Sequence, residues 1–343
     1  MKKLLNTLYV TSPEAYLSLD GENIVVLKGE VVAGRFPLHN IENIITFGYT
    51  GASPALMGAC AKKNIGLCFM TRNGRFLARV TGVVRGNVTL RKEQYAISAD
   101  DERSTQIAKN FILGKVFNGK WVLERATRDY PQRIDVEKFK EKSSRLTDCV
   151  SSIRTSMNLE ELRGFEGKAA SEYFSVFDEL ILQQKESFYF HTRNKRPPLD
   201  NVNALLSFIY TLLAHDIASA LETVGLDAYV GFLHRDRPGR VSLALDMMEE
   251  LRSVFADRFV ISLINKKQVN ADGFTVKENG AVMMEDDTRK IVLEAWQQRK
   301  QDQITHPFLL ERVQWGLVPY VQAMLLARYI RGDLEEYPPF LWK

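Results

Sequence analysis

The chain has 343 residues, 45% of them hydrophobic, and a formal net charge of +4. That length supplies apolar surface for one large or two ordinary globular domains, and so mild a charge permits an anionic partner without arguing for one. Three cysteines, Cys60, Cys68 and Cys149, form no C-x-x-C pair, which argues against a disulfide framework or a cysteine zinc site and fits reduced thiols in the cytoplasm.

The opening "MKKLLNTLYVTSPEAYLSLDG" has a basic tip, but Asn6, Ser12, Pro13 and Glu14 interrupt its apolar run. No secretory segment and no bilayer-spanning stretch is expected, so the reading is a cytoplasmic protein without a membrane partner. Short strand-like runs follow. In "AYLSLDGENIVVLKGEVVAGRFPL", Asp20-Gly21 and Lys28-Gly29 fit hairpin turns. Then come "NIITFG", a short helix in "SPALMGACAKKN", and the runs "IGLCFMT", "FLARVTG" and "NVTLRKEQY".

After "SADDERS" the apolar period becomes helical. Ile107, Phe111, Ile112, Val116 and Leu123 share one face of a helix that Asp100 or Asp101 could cap. Further helical runs are expected at about 135–158, 160–190, 201–224, 242–264, 286–302 and 308–331. A hairpin around Asn279-Gly280 interrupts them, and the tail "DLEEYPPFLWK" is expected to be extended. The fold class is therefore α+β: an N-terminal β-rich domain, residues 1–96, and a larger all-α C-terminal domain, residues 102–343.

The five histidines are singletons, and no H-E-x-x-H, Walker loop, G-x-G-x-x-G or G-x-S-x-G is present. The candidate chemistry lies elsewhere. On a helical wheel of "LRGFEGKAASEYFSVFDELI", Glu166 sits in the middle of an apolar stripe with Ala170, Tyr173 and Phe177. A carboxylate facing a core needs a partner, a metal or a proton; alternatively it is a first-turn acid helped by the helix N-terminus. In "GFLHRDRPGRVSLALDMMEELR", Asp246, Glu249 and Glu250 share a face opposite Ala244, Met247, Met248 and Leu251. Alone, that is the pattern of a solvated face, and His234 alone is the pattern of a packed histidine. Together, acids and a histidine beside arginines suit a divalent ion that meets phosphates. The basic candidates for DNA-backbone contact are Arg193, Lys195 and Arg196 in "HTRNKRPP", and Arg235, Arg237 and Arg240 beside the histidine. Arg163, Lys168 and Arg252, on the two acidic helices, complete the set.

Three stretches in this order resemble the CRISPR-associated adaptation integrase family, the first of the CRISPR-associated proteins. They are "LRGFEGKAASEYF", "RPPLDNVNALLSFIYTLL" and "GFLHRDRPGRVSLALDMMEELR", and the pattern looks closest to the type I-C branch. The resemblance implies metal ligands at Glu166, His234 and Glu249 with Asp246 beside them, although the choice between Asp246 and Glu249 as third ligand stays open. Glu250 is expected to be solvated. The implied cofactor is Mn²⁺ or Mg²⁺. The implied reaction is insertion of short foreign DNA into a CRISPR array, by attack of a 3′-hydroxyl on a repeat-boundary phosphodiester. The implied partners are double-stranded DNA as prespacer and repeat, a second copy paired through the β domain, and a small ferredoxin-like protein. The exposed tail would be a contact for that protein or for DNA. Two alternatives remain: a metal-dependent nuclease of branched or single-stranded DNA, and a DNA-binding scaffold without catalysis.

Overall fold

The computed structural model describes residues 6–63, 65–72, 76–80 and 88–343. The basic tip and the end of "FLARVTG" lie outside them. In chain order the strand-rich part contains β1 (Thr7–Val10), β2 (Ala15–Asp20), β3 (Asn23–Lys28), β4 (Val31–Pro37), β5 (Asn43–Phe47), α1 (Pro54–Lys63), β6 (Gly66–Met70) and β7 (Phe76–Val80). The helical part runs α2 (Val88–Ala99), α3 (Asp101–Asp129), α4 (Val136–Thr155), α5 (Leu159–Phe174), α6 (Asn201–Val224), α7 (Ser242–Leu251) and α8 (Arg258–Asn265). A π-helical segment, Arg252–Asp257, joins the last two. The short strands β8 (Phe274–Val276) and β9 (Val282–Met284), helix α9 (Asp286–Gln301), the strands β10 (Gln303–Thr305) and β11 (Arg312–Gln314), and α10 (Val318–Ile330) follow. A β-rich N-terminal region thus precedes a mostly helical one, as the composition of the runs predicts.

By compactness the chain forms two units. One combines Met1–Gly86 with Met284–Asp302, and the other combines Asn87–Met283 with Gln303–Lys343. In the first, β2, β3 and β4 form an antiparallel sheet, and Gly21 and Gly29 take positive φ at its two turns. A second sheet has the order β1-β5-β6-β7, parallel across β1-β5-β6 and antiparallel at β7. Leu17, Ile24, Ile44, Leu56, Cys60 and Leu67 fill the core of this unit. Helix α9 belongs to it as well: Arg72 donates to Asp286 at 2.8 Å, and Lys300 Nζ lies 3.4 Å from Thr7 Oγ1.

In the second unit the long helix α3 is the scaffold on which α4, α5 and α7 pack. Asp100 caps it, accepting from the amides of Glu102 and Arg103, an arrangement that contributes about 1 kcal/mol. Helix α6 begins at the Asp200 cap and ends at Gly225 with φ +91°. Length and composition alone would let α6 cross a bilayer, so the expectation that no stretch qualifies does not hold. However, 67% of its most apolar window is buried inside the fold, the position of a core helix.

Four local expectations are corrected. "NVTLRKEQY" is helical from Val88, because Leu90, Gln94 and Ile97 recur at helical spacing on a buried face. The helix expected over 160–190 stops at Phe174; beyond it Phe174, Phe177 and Phe190 form an aromatic cluster around an irregular chain. The helix expected from 308 starts only at Val318, with Pro319 in its first turn. The tail is extended but not exposed. Tyr337 and Phe340 are fully buried, and Trp342 is nearly so, with Arg125 and Arg258 stacked at 5.3 and 4.5 Å from its ring. Asn118 on α3 donates to the carbonyls of Glu250 and Phe340, both at 2.7 Å, and accepts from the Trp342 amide at 2.8 Å.

This docked tail also overturns the solvated placement of Glu250, which has no exposed surface. Its carboxyl accepts from Tyr337 Oη and the Phe340 amide, both at 2.5 Å, and from Gln322 Nε2 at 2.9 Å. Burial outweighs these hydrogen bonds and pushes the group from its ordinary 4.5 up to about 8. The folded state therefore keeps a proton that the unfolded chain releases, so the stability Glu250 contributes is full below about 4.5 and is lost as pH rises through about 8. Calorimetric melting from pH 4.5 to 8.5 should show Tm of the native protein falling over this interval, and Glu250→Gln should flatten that fall.

Candidate metal and nucleic-acid site

The site lies wholly within the helical unit and grows from α7. Asp246, Glu249 and Glu250 are all buried, so α7 has no solvated face and its apolar stripe is only part of what it buries. Each acid must be satisfied from a different direction.

Asp246 is satisfied by the loop before α7. Its Oδ2 accepts from the amides of Phe232 and Leu233 at 2.7 and 2.9 Å, and its Oδ1 from the amide of His234 at 3.0 Å. The same Oδ1 lies 2.5 Å from His234 Nδ1. A carboxylate can only accept here, so Nδ1 carries the hydrogen and Nε2 is the ring nitrogen available to a ligand. The loop comes this close because residue 231 is glycine. A Cβ there would stand 2.8 Å from Asp246 Oδ2 and 2.9 Å from the His234 carbonyl.

Glu249 is satisfied by cations. Arg252 Nη2 lies 3.0 Å from its Oε1 and Lys115 Nζ 2.8 Å from its Oε2. That Oε2 is buried and accepts no well-directed hydrogen bond. Burial opposes ionisation, but Arg252, then Lys115, outweigh it and hold the carboxyl down to about 2. Lys115 also pairs with Glu166 Oε1 on α5. Burial works against the lysine charge, yet Glu249 and Glu166 together raise its pKa above the ordinary value. One ammonium therefore joins the two carboxylates.

The wheel reading of Glu166 asks for a buried partner, and Lys115 is that partner. Sequence reasoning missed it, although the same signal was there: Ala108, Phe111, Ile112, Asn118, Gly119 and Val122, the helical neighbours of Lys115, are all buried. The two acids differ in their surroundings: Asp246 has its oxygens taken by three amides and the imidazole, whereas Glu249 faces cations. Among the described residues, no three His, Cys, Asp or Glu side chains stand close enough together to hold one metal ion. The donor set nevertheless fits a divalent cation. Glu166 and Glu249 already share a cation position, Glu249 keeps an oxygen without a directed partner, and His234 is oriented by a carboxylate as metal-bound imidazoles are.

The basic candidates separate into three groups. Arg163 donates to the Leu233 carbonyl at 2.7 Å, Arg235 pairs with Asp101, and Arg240 donates to the Arg235 carbonyl; these side chains shape the histidine loop. Arg193 donates to Asn203 Oδ1 at 2.7 Å and lies over the Tyr210 ring, with Arg252 also on that ring. Lys168, Lys195, Arg196 and Arg237 are exposed. Burial, then the neighbouring charges of Arg252, Arg193 and Arg196, lower the pKa of Lys195. Like charges gathered beside Glu249 make a surface that favours an anion. Behind them a cavity of about 60 Å³ is lined by Lys115, Arg193, Tyr210, Arg252 and Asp257. Tyr210 and Tyr173 donate to Asp257 at 2.5 and 3.1 Å, and burial, against those donors, pushes its carboxyl up to about 6. Nothing in the sequence pattern flagged Asp257, which lies on the π-helical segment. Gly231→Ala should force the histidine loop off Asp246 and destabilise the fold by about 2 kcal/mol, measured by urea denaturation.

The family model described as CRISPR associated protein Cas1 matches residues 8–298. The chain is 49% identical over 343 residues to a protein of Chlorobaculum tepidum named CRISPR-associated endonuclease Cas1 1, and 51% identical over 347 residues to one of Rhodospirillum rubrum named CRISPR-associated endonuclease Cas1 2. Both alignments cover 100% of each chain. The fold is shared with a Cas1 protein from Thermotoga maritima, at TM-score 0.81 and 22% identity over 95% of this chain and 97% of that one. It is also shared with a casposase bound to an integration product, at TM-score 0.84 and 24% identity over 98% and 93%. The extent of the family match and the full-length identity to both curated relatives place the chain in one group: it belongs to the Cas1 family of CRISPR-associated proteins.

Proposed function

We propose that the chain is a metal-dependent DNA integrase and endonuclease that inserts short foreign duplexes into a CRISPR array, the 3′-hydroxyl of the fragment attacking a repeat-boundary phosphodiester. The observation that carries this reading is the pair of carboxylates, Glu166 and Glu249, gathered on one cation, together with the imidazole of His234 that Asp246 orients. The relatives named endonucleases support the phosphodiester chemistry. The proposal extends to strand transfer, beyond hydrolysis, and to the type I-C branch.

Glu166, Glu249 and His234 Nε2 would hold Mn²⁺ or Mg²⁺. Bound there, the ion would stabilise charge on a phosphoryl oxygen and on the departing 3′-oxygen. The protein groups do the rest. Asp246 accepts from Nδ1 and fixes the ring in direction, with Nε2 as the nitrogen left for a ligand. Arg252 holds Glu249 ionised, and Arg193, Lys195, Arg196 and Arg237 offer donors to the DNA backbone, which positions the duplex without reading its sequence. The reading includes a second copy paired through the β-rich region and a small ferredoxin-like partner. Strand β4 supports such pairing: it is an edge strand on which Val31 and Val32 are 68% and 47% exposed.

The test supplies a repeat-bearing plasmid, a short duplex with free 3′ ends and Mn²⁺. Joined products are expected, with binding that weakens steeply as salt rises. Glu166→Ala, His234→Ala and Glu249→Ala should fold and bind DNA yet lose joining, while Asp246→Asn should reduce it by roughly 10- to 100-fold. Cleavage without joining would favour the nuclease reading. Normal joining by both Glu166→Ala and His234→Ala would overturn the metal site, and DNA binding by the native protein with neither joining nor cleavage would leave a DNA-binding scaffold.

A further inference from the structure

In most carboxylate metal sites the metal-free protein leaves like charges facing one another. Here the charges that pair directly already cancel. Glu166 and Glu249 bring two negative charges, and Lys115 and Arg252 bring two positive ones. The side chains of Glu249 and Lys115 are 4% and 16% exposed and those of Arg252 and Glu166 26% and 28%, so this balance is struck in a partly desolvated place. A divalent ion added to a balanced cluster leaves an excess of two positive charges in a poorly solvated place, which is unfavourable unless a further anion arrives. A lysine differs from an arginine here: its ammonium is a point charge on a flexible four-carbon stem and can leave one pair of partners for another.

We propose that Lys115 is a resident counter-ion occupying the cation position between Glu166 and Glu249 in the free protein, so that a divalent ion binds tightly only when DNA phosphate supplies the balancing negative charge. The inference rests on the metal-dependent reading above and concerns what controls loading of that site. Free protein would hold Mn²⁺ weakly. A phosphodiester at the cluster of Arg193, Lys195 and Arg252 would neutralise the excess charge and accept the displaced ammonium. By linkage, Mn²⁺ would then tighten DNA binding by the same factor as DNA tightens Mn²⁺ binding. Lys115 would thus be a positioning residue that restrains the site in the absence of substrate.

Calorimetric titration of Mn²⁺ into the metal-free protein tests this, comparing the native chain with Lys115→Met. Each is titrated alone and with a duplex ended by dideoxynucleotides, which cannot be joined. Lys115→Met without DNA should bind Mn²⁺ about tenfold or more tighter than the native protein, and the duplex should tighten the native protein far more than the variant. Equal Mn²⁺ affinity of the two proteins without DNA, or no effect of the duplex on the native protein, overturns the inference while leaving the metal site standing. Absence of Mn²⁺ binding in all four titrations overturns the metal reading itself, and the inference with it. If Lys115→Met does not fold, amine acylation of the native protein read by mass spectrometry decides. Saturating Mn²⁺ should expose Lys115 to the reagent, and unchanged protection overturns the inference.

Discussion

Burying three carboxylates on one ten-residue helix is the constraint from which the rest of the helical unit follows. An isolated carboxylate cannot be taken from water without a hydrogen bond, a cation or a proton, and α7 uses all three answers. Asp246 takes the amides and imidazole of the loop before it. Glu249 takes Lys115 and Arg252. Glu250 takes the tail and, by its raised pKa, a proton. Each answer recruits a different part of the chain, so α7 is the helix around which the histidine loop, α3, α5 and the C-terminal segment are ordered.

This arrangement separates roles among acids that look equivalent on a wheel. Asp246 is saturated by donors and cannot open towards a ligand without releasing the loop. Glu250 is sealed by Tyr337, Phe340 and Gln322. Glu249 alone of the three is held by cationic side chains, Lys115 and Arg252. The π-helical turn that follows, Arg252–Asp257, carries both the guanidinium that Glu249 needs and the buried Asp257 that Tyr173 and Tyr210 enclose. A widened turn is an uncommon element and often marks a place where side-chain placement outweighs ideal backbone hydrogen bonding.

Much of the fold was legible in the order of the runs: hairpin turns at Asp20-Gly21 and Lys28-Gly29, then long helices with a shared apolar face. Glu166 was legible because an acid inside an apolar stripe must have a reason to be there. Lys115 satisfied the same criterion and was passed over, because a lysine amid "ILGKVFNGK" reads as one of many solvated cations unless its helical neighbours are weighed. Glu250 and the tail were not legible for a deeper reason. Periodicity reports which residues are apolar, and it cannot report that polar residues pair with one another inside. The three aromatics Tyr337, Phe340 and Trp342 were the available hint that the tail docks. The helix from Val88 is not legible in its first residues, because β-branched residues near a turn favour a strand locally, while burial of Leu90, Gln94 and Ile97 favours a helix.

The split of the first unit between Met1–Gly86 and Met284–Asp302 bears on how the protein is made. Although the strands are synthesised first, the helix that completes their unit leaves the ribosome only after the intervening segment has been translated. At roughly 5–20 residues per second, the nascent sheets wait tens of seconds for α9. Order of emergence and order of completion are therefore opposite in this molecule, and it is the later-born helical segment, Asn87–Met283, whose residues are nearly all present before the first unit can close.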